Sequence, residues 1–329
     1  MKSFEEIYEI IKNENYSDLE DFRLKEKKKV KIFYLCLLCV ILINPLIFIF
    51  AGLTKNNYFT ENFLKIFFIE ILIFFSLIIL FILFSIFSYF IQKGKNTEKK
   101  PKKKNYNQLF KEKIITTLVS SYDSNLIFSR EKSISENLYN RGLFEIYDIY
   151  SSDDLVYGKI SGIIDFEMGD IVTQNKQTDS EGNTTVYTVF RGLFSSAKLD
   201  KNIKNTIKIR SNKGNIGIGL SKKYQLHMDS IEFEKYFDIY SSDQILAMRV
   251  LTSDIMDYMV SFTTENKVKF EITISDEKLY IRIHCKNMFE GSVFKNSIDE
   301  NTLKQYYTYL NFMCELNKKF YKVISEKDI

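Results

Sequence analysis

The sequence predicts an α+β protein: a two-helix transmembrane hairpin followed by a cytosolic domain with a mostly antiparallel sheet and flanking helices. Three observations carry that expectation. Ile32–Leu53 and Ile66–Ile91 are apolar runs of 22 and 26 residues, the first without a charge and the second with Glu70 alone. Lysines crowd the outer flanks of both runs. Beyond residue 105 helical periodicity gives way to the period-two alternation of half-buried strands and then returns.

As helices the two runs would be roughly 33 and 39 Å long, against a hydrocarbon core of about 30 Å. A helix satisfies its own backbone in lipid, so runs of this length and polarity read as membrane spans. Arg23, Lys25, Lys27, Lys28, Lys29 and Lys31 precede the first, and Lys93, Lys95, Lys99, Lys100, Lys102, Lys103 and Lys104 follow the second. The intervening loop Thr54–Lys65 holds only Lys55 and Lys65. Lysine and arginine close to a span stay cytoplasmic, which predicts a two-pass protein of the cell membrane with both termini in the cytoplasm. A cleaved signal peptide would have a shorter apolar core followed by a small-residue cleavage site, and neither is seen.

Residues 1–31 read as amphipathic and basic N-terminal helices, with Ser3/Glu6 and Ser17/Glu20 as two capping boxes. Phe4, Ile7, Tyr8, Ile10 and Ile11 share a face that suits either the bilayer or the cytosolic domain. Residues 32–91 form the hairpin, in which Asn44 and Glu70 are the polar positions of note. Residues 92–105 are a lysine-rich linker, and residues 106–329 the α+β domain. Within the domain, Tyr106–Ser121 and Ser133–Arg141 predict helices. Val156–Phe166, Asp170–Gln174, Thr184–Phe194, Thr206–Arg210 and Ile216–Leu220 predict an antiparallel sheet, with a turn at Gly182–Asn183. Ser230–Tyr236, Asp243–Leu251 and Ser253–Phe262 return to helix, Lys267–Ser275 and Lys278–Cys285 form a hairpin around Asp276–Glu277, and a last helix runs from about Asp299 to Val323.

Charge limits the partners. Residues 1–104 carry 17 Lys/Arg and 11 Asp/Glu, whereas residues 105–329 carry 29 and 31, so the overall excess of +4 belongs to the membrane flanks. That distribution gives no nucleic-acid footprint. One local exception stands out: Lys198, Lys201, Lys204, Lys208, Arg210, Lys213, Lys222 and Lys223 accompany a single acid, Asp200. This stripe is the candidate surface for lipid headgroups or another anion, set against the plainer reading of a solvated, lysine-protected sheet edge.

No catalytic constellation emerges. Gly214, Gly217 and Gly219 lack the lysine that follows the last glycine of a phosphate loop. Cys36 and Cys39 sit inside an apolar run, where burial disfavours the thiolate, and Cys285 and Cys314 are expected to be unpaired. His284 and Cys285 are strand neighbours pointing to opposite faces. The hexapeptide Asp148-Ile149-Tyr150-Ser151-Ser152-Asp153 recurs as Asp238-Ile239-Tyr240-Ser241-Ser242-Asp243. Its aspartates suggest a divalent-cation site if the copies meet, but the second copy also suits the N-terminus of a helix, where Asp accepts from free backbone N–H groups.

Phe190-Arg191-Gly192-Leu193-Phe194, Phe233-Glu234-Lys235-Tyr236-Phe237 running into Tyr240-Ser241-Ser242-Asp243-Gln244, Arg249 with Leu251-Thr252, Lys278-Leu279-Tyr280-Ile281 and Met288-Phe289-Glu290 form a further pattern. With Asp153-Asp154-Leu155 and Gly158, these residues resemble a bacterial membrane-protein family catalogued as domain of unknown function 3137. The resemblance implies a two-span hairpin ahead of a cytosolic domain and transfers no activity, cofactor or site residue. The expected function is therefore non-enzymatic: a membrane-anchored scaffold or binding module for a protein partner or anionic lipid, needing no cofactor. The alternative is a metal-dependent hydrolase of phosphorylated substrates built on Asp148, Asp153, Asp154, Asp238 and Asp243.

Overall fold

The structure is a computed structural model describing residues 1–53, 104–212, 221–286 and 288–326, without the side chains of residues 36 and 39–53. It divides into two compact units, Met1–Glu20 with Tyr106–Ile329, and Asp21–Asn105. The second unit contains most of a 37-residue helix, α2 (Ser17–Leu53), which covers the first predicted span. Among the described residues no helix is long and apolar enough to cross a membrane. The apolar part of α2 beyond residue 38 has no described side chains. The second predicted span, with Glu70, lies outside the described residues, as do the loop and nearly all of the linker.

The larger unit is α+β with a mostly antiparallel sheet and flanking helices, as its periodicity predicts. It opens with α1 (Phe4–Asn13), closed by a capping box in which Ser3 Oγ accepts from Glu6 N and Glu6 Oε2 accepts from Ser3 N. Phe4, Ile7 and Ile11 are buried, and Tyr8 and Tyr307 tie α1 to the unit through Ile298 O and Lys2 O. The face offered to either bilayer or domain packs on the domain. At the second predicted box, Ser17 N donates to Asn15 Oδ1 at 3.0 Å and Glu20 accepts from Ser297 Oγ at 2.9 Å.

Residues 106–122 are helical as expected, but α3 (Tyr106–Phe110) and α4 (Thr116–Tyr122) are joined by a π-helical turn, Lys111–Ile115. The wider turn inserts one extra residue per cycle, so Lys111 turns inward beside Ile114 and Ile115. β1 (Leu126–Ser129), which the sequence pattern does not reveal, and α5 (Glu136–Asn140), capped by Ser135, follow. β2 (Ile149–Ile160), β3 (Ile164–Thr178) and β4 (Thr184–Ser211) form an antiparallel meander. After the 3₁₀ turn Lys222–Tyr224 come β5 (Gln225–Leu226), α6 (Ile231–Glu234), β6 (Phe237–Ser241), α7 (Gln244–Val250) and α8 (Ser253–Asn266). β7 (Phe270–His284) and α9 (Glu300–Glu326) end the unit. The predicted strand Ile216–Leu220 lies outside the described residues.

The sheet path is β1-β2-β3-β4-β6-β5, with β7 paired to β4. β7 folds on itself as predicted: His284 N donates to Lys269 O at 2.9 Å, and Asp276 takes the left-handed conformation at the tip. β4 pairs with both arms, Gly192–Lys198 against His284–Lys278 and Ile203–Ile209 against Asp276–Ile272. It therefore arches over the hairpin tip, and that arch explains the register shifts between Lys198 and Ile207. One sheet face meets α9, where Ser195 Oγ reaches Met313 Sδ at 3.3 Å. The other carries an aromatic core of Tyr139, Phe144, Phe190, Phe194 and Tyr280 beneath the chain that links β1 to β2.

Candidate functional site

The structure splits the predicted basic stripe. Lys198, Lys204, Lys222 and Lys223 are exposed, Lys201 is half-buried, and Lys213 lies outside the described residues. Lys208 and Arg210 are fully buried, which removes them from any surface stripe. The alternation Ile207-Lys208-Ile209-Arg210 reads locally as in and out, but the polar face is covered by residues 139–145, some 65 positions upstream. Lys208 Nζ donates to Leu143 O at 3.0 Å, and Arg210 Nη1 to Ile272 O at 2.6 Å. Burial and the Arg210 charge push the Lys208 ammonium down to about 7.

Of what remains of the stripe, Lys198 alone borders an open cleft of about 420 Å³, lined also by Tyr157, Lys159, Asp165, Glu167 and Lys278. β2, β3, β4 and the second arm of β7 each contribute. Lys159 pairs with Asp165 at 3.4 Å and Lys198 with Glu277 at 4.0 Å. Lys198 and Lys278 stand directly opposite each other in the ladder. Like charges at opposed positions repel, so this pair costs stability, and Glu277 beside Lys198 with Asp165 and Glu167 in the lining partly offsets its charge.

A second cluster forms around Lys111. Its ammonium bonds Asp154 Oδ2 at 2.5 Å and Glu290 Oε1 at 2.7 Å, with Asp153 at 4.0 Å. The π turn aims the lysine, and a β-bulge between Asp153 and Leu155 aims the acids, holding Asp154 at φ 54°. Beside them Asp170 accepts from Met288 N with both oxygens. One ammonium among four carboxyl groups leaves positive charge short. Burial accordingly drives Asp154 up to about 7 against the pull of Lys111, and raises Asp170 well above the usual carboxylate range. Asp153, Asp154 and Glu290 place one oxygen each within 4.8 Å of one another, a spacing that a divalent ion accepts. Lys111 already supplies a cation there.

The two hexapeptides do not meet. Their strands β2 and β6 are separated by at least three strand spacings, roughly 14 Å at about 4.8 Å each. Asp243 caps α7 by accepting from Leu246 N at 3.0 Å, while Asp238 accepts from Gln225 Nε2 and Asp148 from Lys176 N. Only the first copy joins the carboxylate cluster, through Asp153 and the adjoining Asp154. Lys111 and Glu290 escape a sequence reading: a lysine in a helical pattern reads as solvated, and Glu290 had only the family resemblance to mark it. Cys285 and Cys314 are free, and burial pushes the Cys285 thiol up to about 12. His227 pairs with Glu234, and His284 packs on Phe190, so the histidines form no joint site.

Compared with known proteins, residues 188–322 match the family described as "Protein of unknown function (DUF3137)". No curated protein matches. A solved structure, the mycobacterial trehalose monomycolate transport factor A, TtfA, is similar at 11% identity and a TM-score of 0.34, over 65% of this chain and 94% of that one.

Proposed function

We propose, from the premise that residues 188–322 are a segment of the DUF3137 family, that this chain is a membrane-anchored binding module whose α+β unit engages an anionic lipid headgroup or an acidic protein partner. The opposed lysines Lys198 and Lys278 at the open cleft carry the reading: a repulsive pair kept at a concave, accessible site suits an anion that bridges both. Lys159 adds a third donor. Anchoring is supported by the apolar runs 32–53 and 66–91 and by the start of the first. Ile32, Phe33, Tyr34, Leu35, Leu37 and Leu38 are exposed on all sides of α2, which suits a lipid environment. With lysines outside both runs, the chain would cross twice and keep both ends cytoplasmic.

A chain joining residues 1–20 to 106–329 tests the cleft by co-sedimentation with vesicles of anionic and of neutral lipid. Lys159→Glu, Lys198→Glu and Lys278→Glu together are expected to lower binding to anionic vesicles at least tenfold. Unchanged binding would remove the lipid version and leave the protein partner. Anchoring is tested separately, since a two-pass protein stays with membranes in alkaline carbonate.

Of the five aspartates of the hydrolase reading, only Asp153 and Asp154 come together, and Glu290 joins them. A divalent ion would have to displace Lys111, whose charge already compensates two of these acids. Millimolar Mg²⁺ or Mn²⁺ is therefore expected to leave the melting temperature unchanged. A rise of several degrees would favour the metal site by mass action.

A further inference from the structure

Beneath residues 139–145, on the sheet face away from α9, lies a charge cluster that no surface view reveals. The sheet supplies Lys208, Arg210, Arg282 and Glu271, all buried. Arg282 bonds Glu271 Oε2 through Nε at 2.7 Å and Nη2 at 2.6 Å. Its Nη1 meets Tyr139 Oη at 3.1 Å and pairs with Glu145. Arg210 spends Nη1 and Nη2 on Ile272 O and Thr273 Oγ1. Its Nε–H has no hydrogen-bond acceptor among the described residues and stands 3.9 Å from Glu271.

Within the cover, residues 142–145 meet the charge cluster with acceptors and one ring. Gly142 O accepts from Thr273 Oγ1 at 2.7 Å, and Leu143 O from Lys208 Nζ at 3.0 Å. The Phe144 ring lies 4.9 Å from the Arg210 guanidinium and 4.5 Å from that of Arg282. Glu145 takes Arg282 with one oxygen and Tyr139 and Thr173 with the other. Without the cover, three cations would face one carboxylate, so any replacement that buries this face again must bring an anion.

We propose that Lys208, Arg210 and Arg282 form a masked binding site for an acidic peptide, which residues 142–145 occupy as an internal stand-in. The ligand class follows from what the site now holds: two consecutive backbone carbonyls, an aromatic ring between guanidinium groups, and a carboxylate one residue on. The segment is built to leave. Residues 143–147 have no regular secondary structure, Leu143 is held at φ 52°, and Ile146 is 77% exposed. The β4–β7 ladder beneath does not pass through the cover. This site shares no residue with the open lysine cleft and stands independently of it.

The probe is a fluorescent peptide of the chain's own residues 142–147, added to the full chain. Glu145→Ala is expected to bind it at least tenfold more tightly than the parent. Adding Lys208→Met, or replacing the peptide's glutamate by glutamine, is expected to abolish that gain. Equal binding by parent and Glu145→Ala would overturn the proposal. So would full displacement of the peptide by millimolar inorganic phosphate, which would make the ligand a small oxyanion. Hydrogen exchange on the parent chain decides even if Glu145→Ala fails to fold. The amides of 142–147 are expected to exchange at least tenfold faster than those of 272–281. Exchange at one common rate would mean that the cover opens only on global unfolding, and would overturn the proposal.

Discussion

Replacing Gly192 by alanine is expected to destabilise the protein by more than about 3 kcal/mol, a large share of what holds a domain together. A Cβ at this position would stand 1.9 Å from Ile283 O, 2.9 Å from the carbon of that carbonyl and 3.0 Å from Cys285 N. These are backbone atoms of the neighbouring strand, so no side chain can rotate away. Gly192 pairs with His284 where β4 meets the second arm of β7, next to the bond from Cys285 N to Arg191 O. Making room means displacing β7 and breaking ladder bonds on both sides. The contrast is Gly182→Ala: nothing lies within 4 Å, and only its φ of 87° is strained, for a cost of about 1 kcal/mol. Urea midpoints of the two variants check the difference, and a Gly192→Ala midpoint equal to the parent's would refute the close approach.

Arg282→Met and Lys208→Met are expected to move stability in opposite directions. Removing Arg282 leaves Glu271 and Glu145 buried without their shared partner, a change that typically costs about 3–5 kcal/mol. Lys208 is different, because burial already holds its ammonium down near 7, below its ordinary 10.5. The folded chain thus binds fewer protons at Lys208 than the unfolded chain between pH 7 and 10.5, and stability rises with pH across that window. Below pH 7 the penalty is fully present. Lys208→Met removes it and is expected to stabilise the protein by roughly 2–4 kcal/mol at pH 6–7, while flattening the rise towards pH 10. Denaturant midpoints from pH 6 to pH 10 test both the sign and the window. A destabilised Lys208→Met chain would show the lysine to be a structural asset. A stabilised one that also loses peptide binding would be a cation kept for use.

The legible parts of the molecule were those fixed by short-range pattern. Ser3 and Glu6 specify a helix start within four residues, and Asp243 ahead of an apolar helical run specifies another. Gly182-Asn183 and Asp276-Glu277 mark their turns because they lie between alternating arms that pair locally. Lys208 and Arg210 were misplaced because alternation tells which residues share a face, never what covers it. The cover came from residues 139–145, and no local signal in β4 announces them. Lys111 was missed for a related reason: a π turn rotates it inward, and the helical period used to read the sequence assumes that no such turn exists. The hexapeptide shows the same limit. Six identical residues became a strand and bulge in one copy and a strand and helix cap in the other, because their neighbours in space differ.

By itself, the sequence determined the α+β character, the order of most helices and strands, the two apolar runs and the confinement of excess positive charge to their flanks. All of these follow from periodicity, turn chemistry and composition within a few residues. Only the tertiary structure decided that β4 arches over the β7 hairpin, that Lys198 opposes Lys278 across a cleft, that Lys111 gathers acids from three segments, and that Lys208, Arg210 and Arg282 lie under a loop carrying their counter-charge. Each of those depends on contacts between residues tens to nearly two hundred positions apart, where desolvation and pairing over the whole fold, and not local propensity, set the outcome.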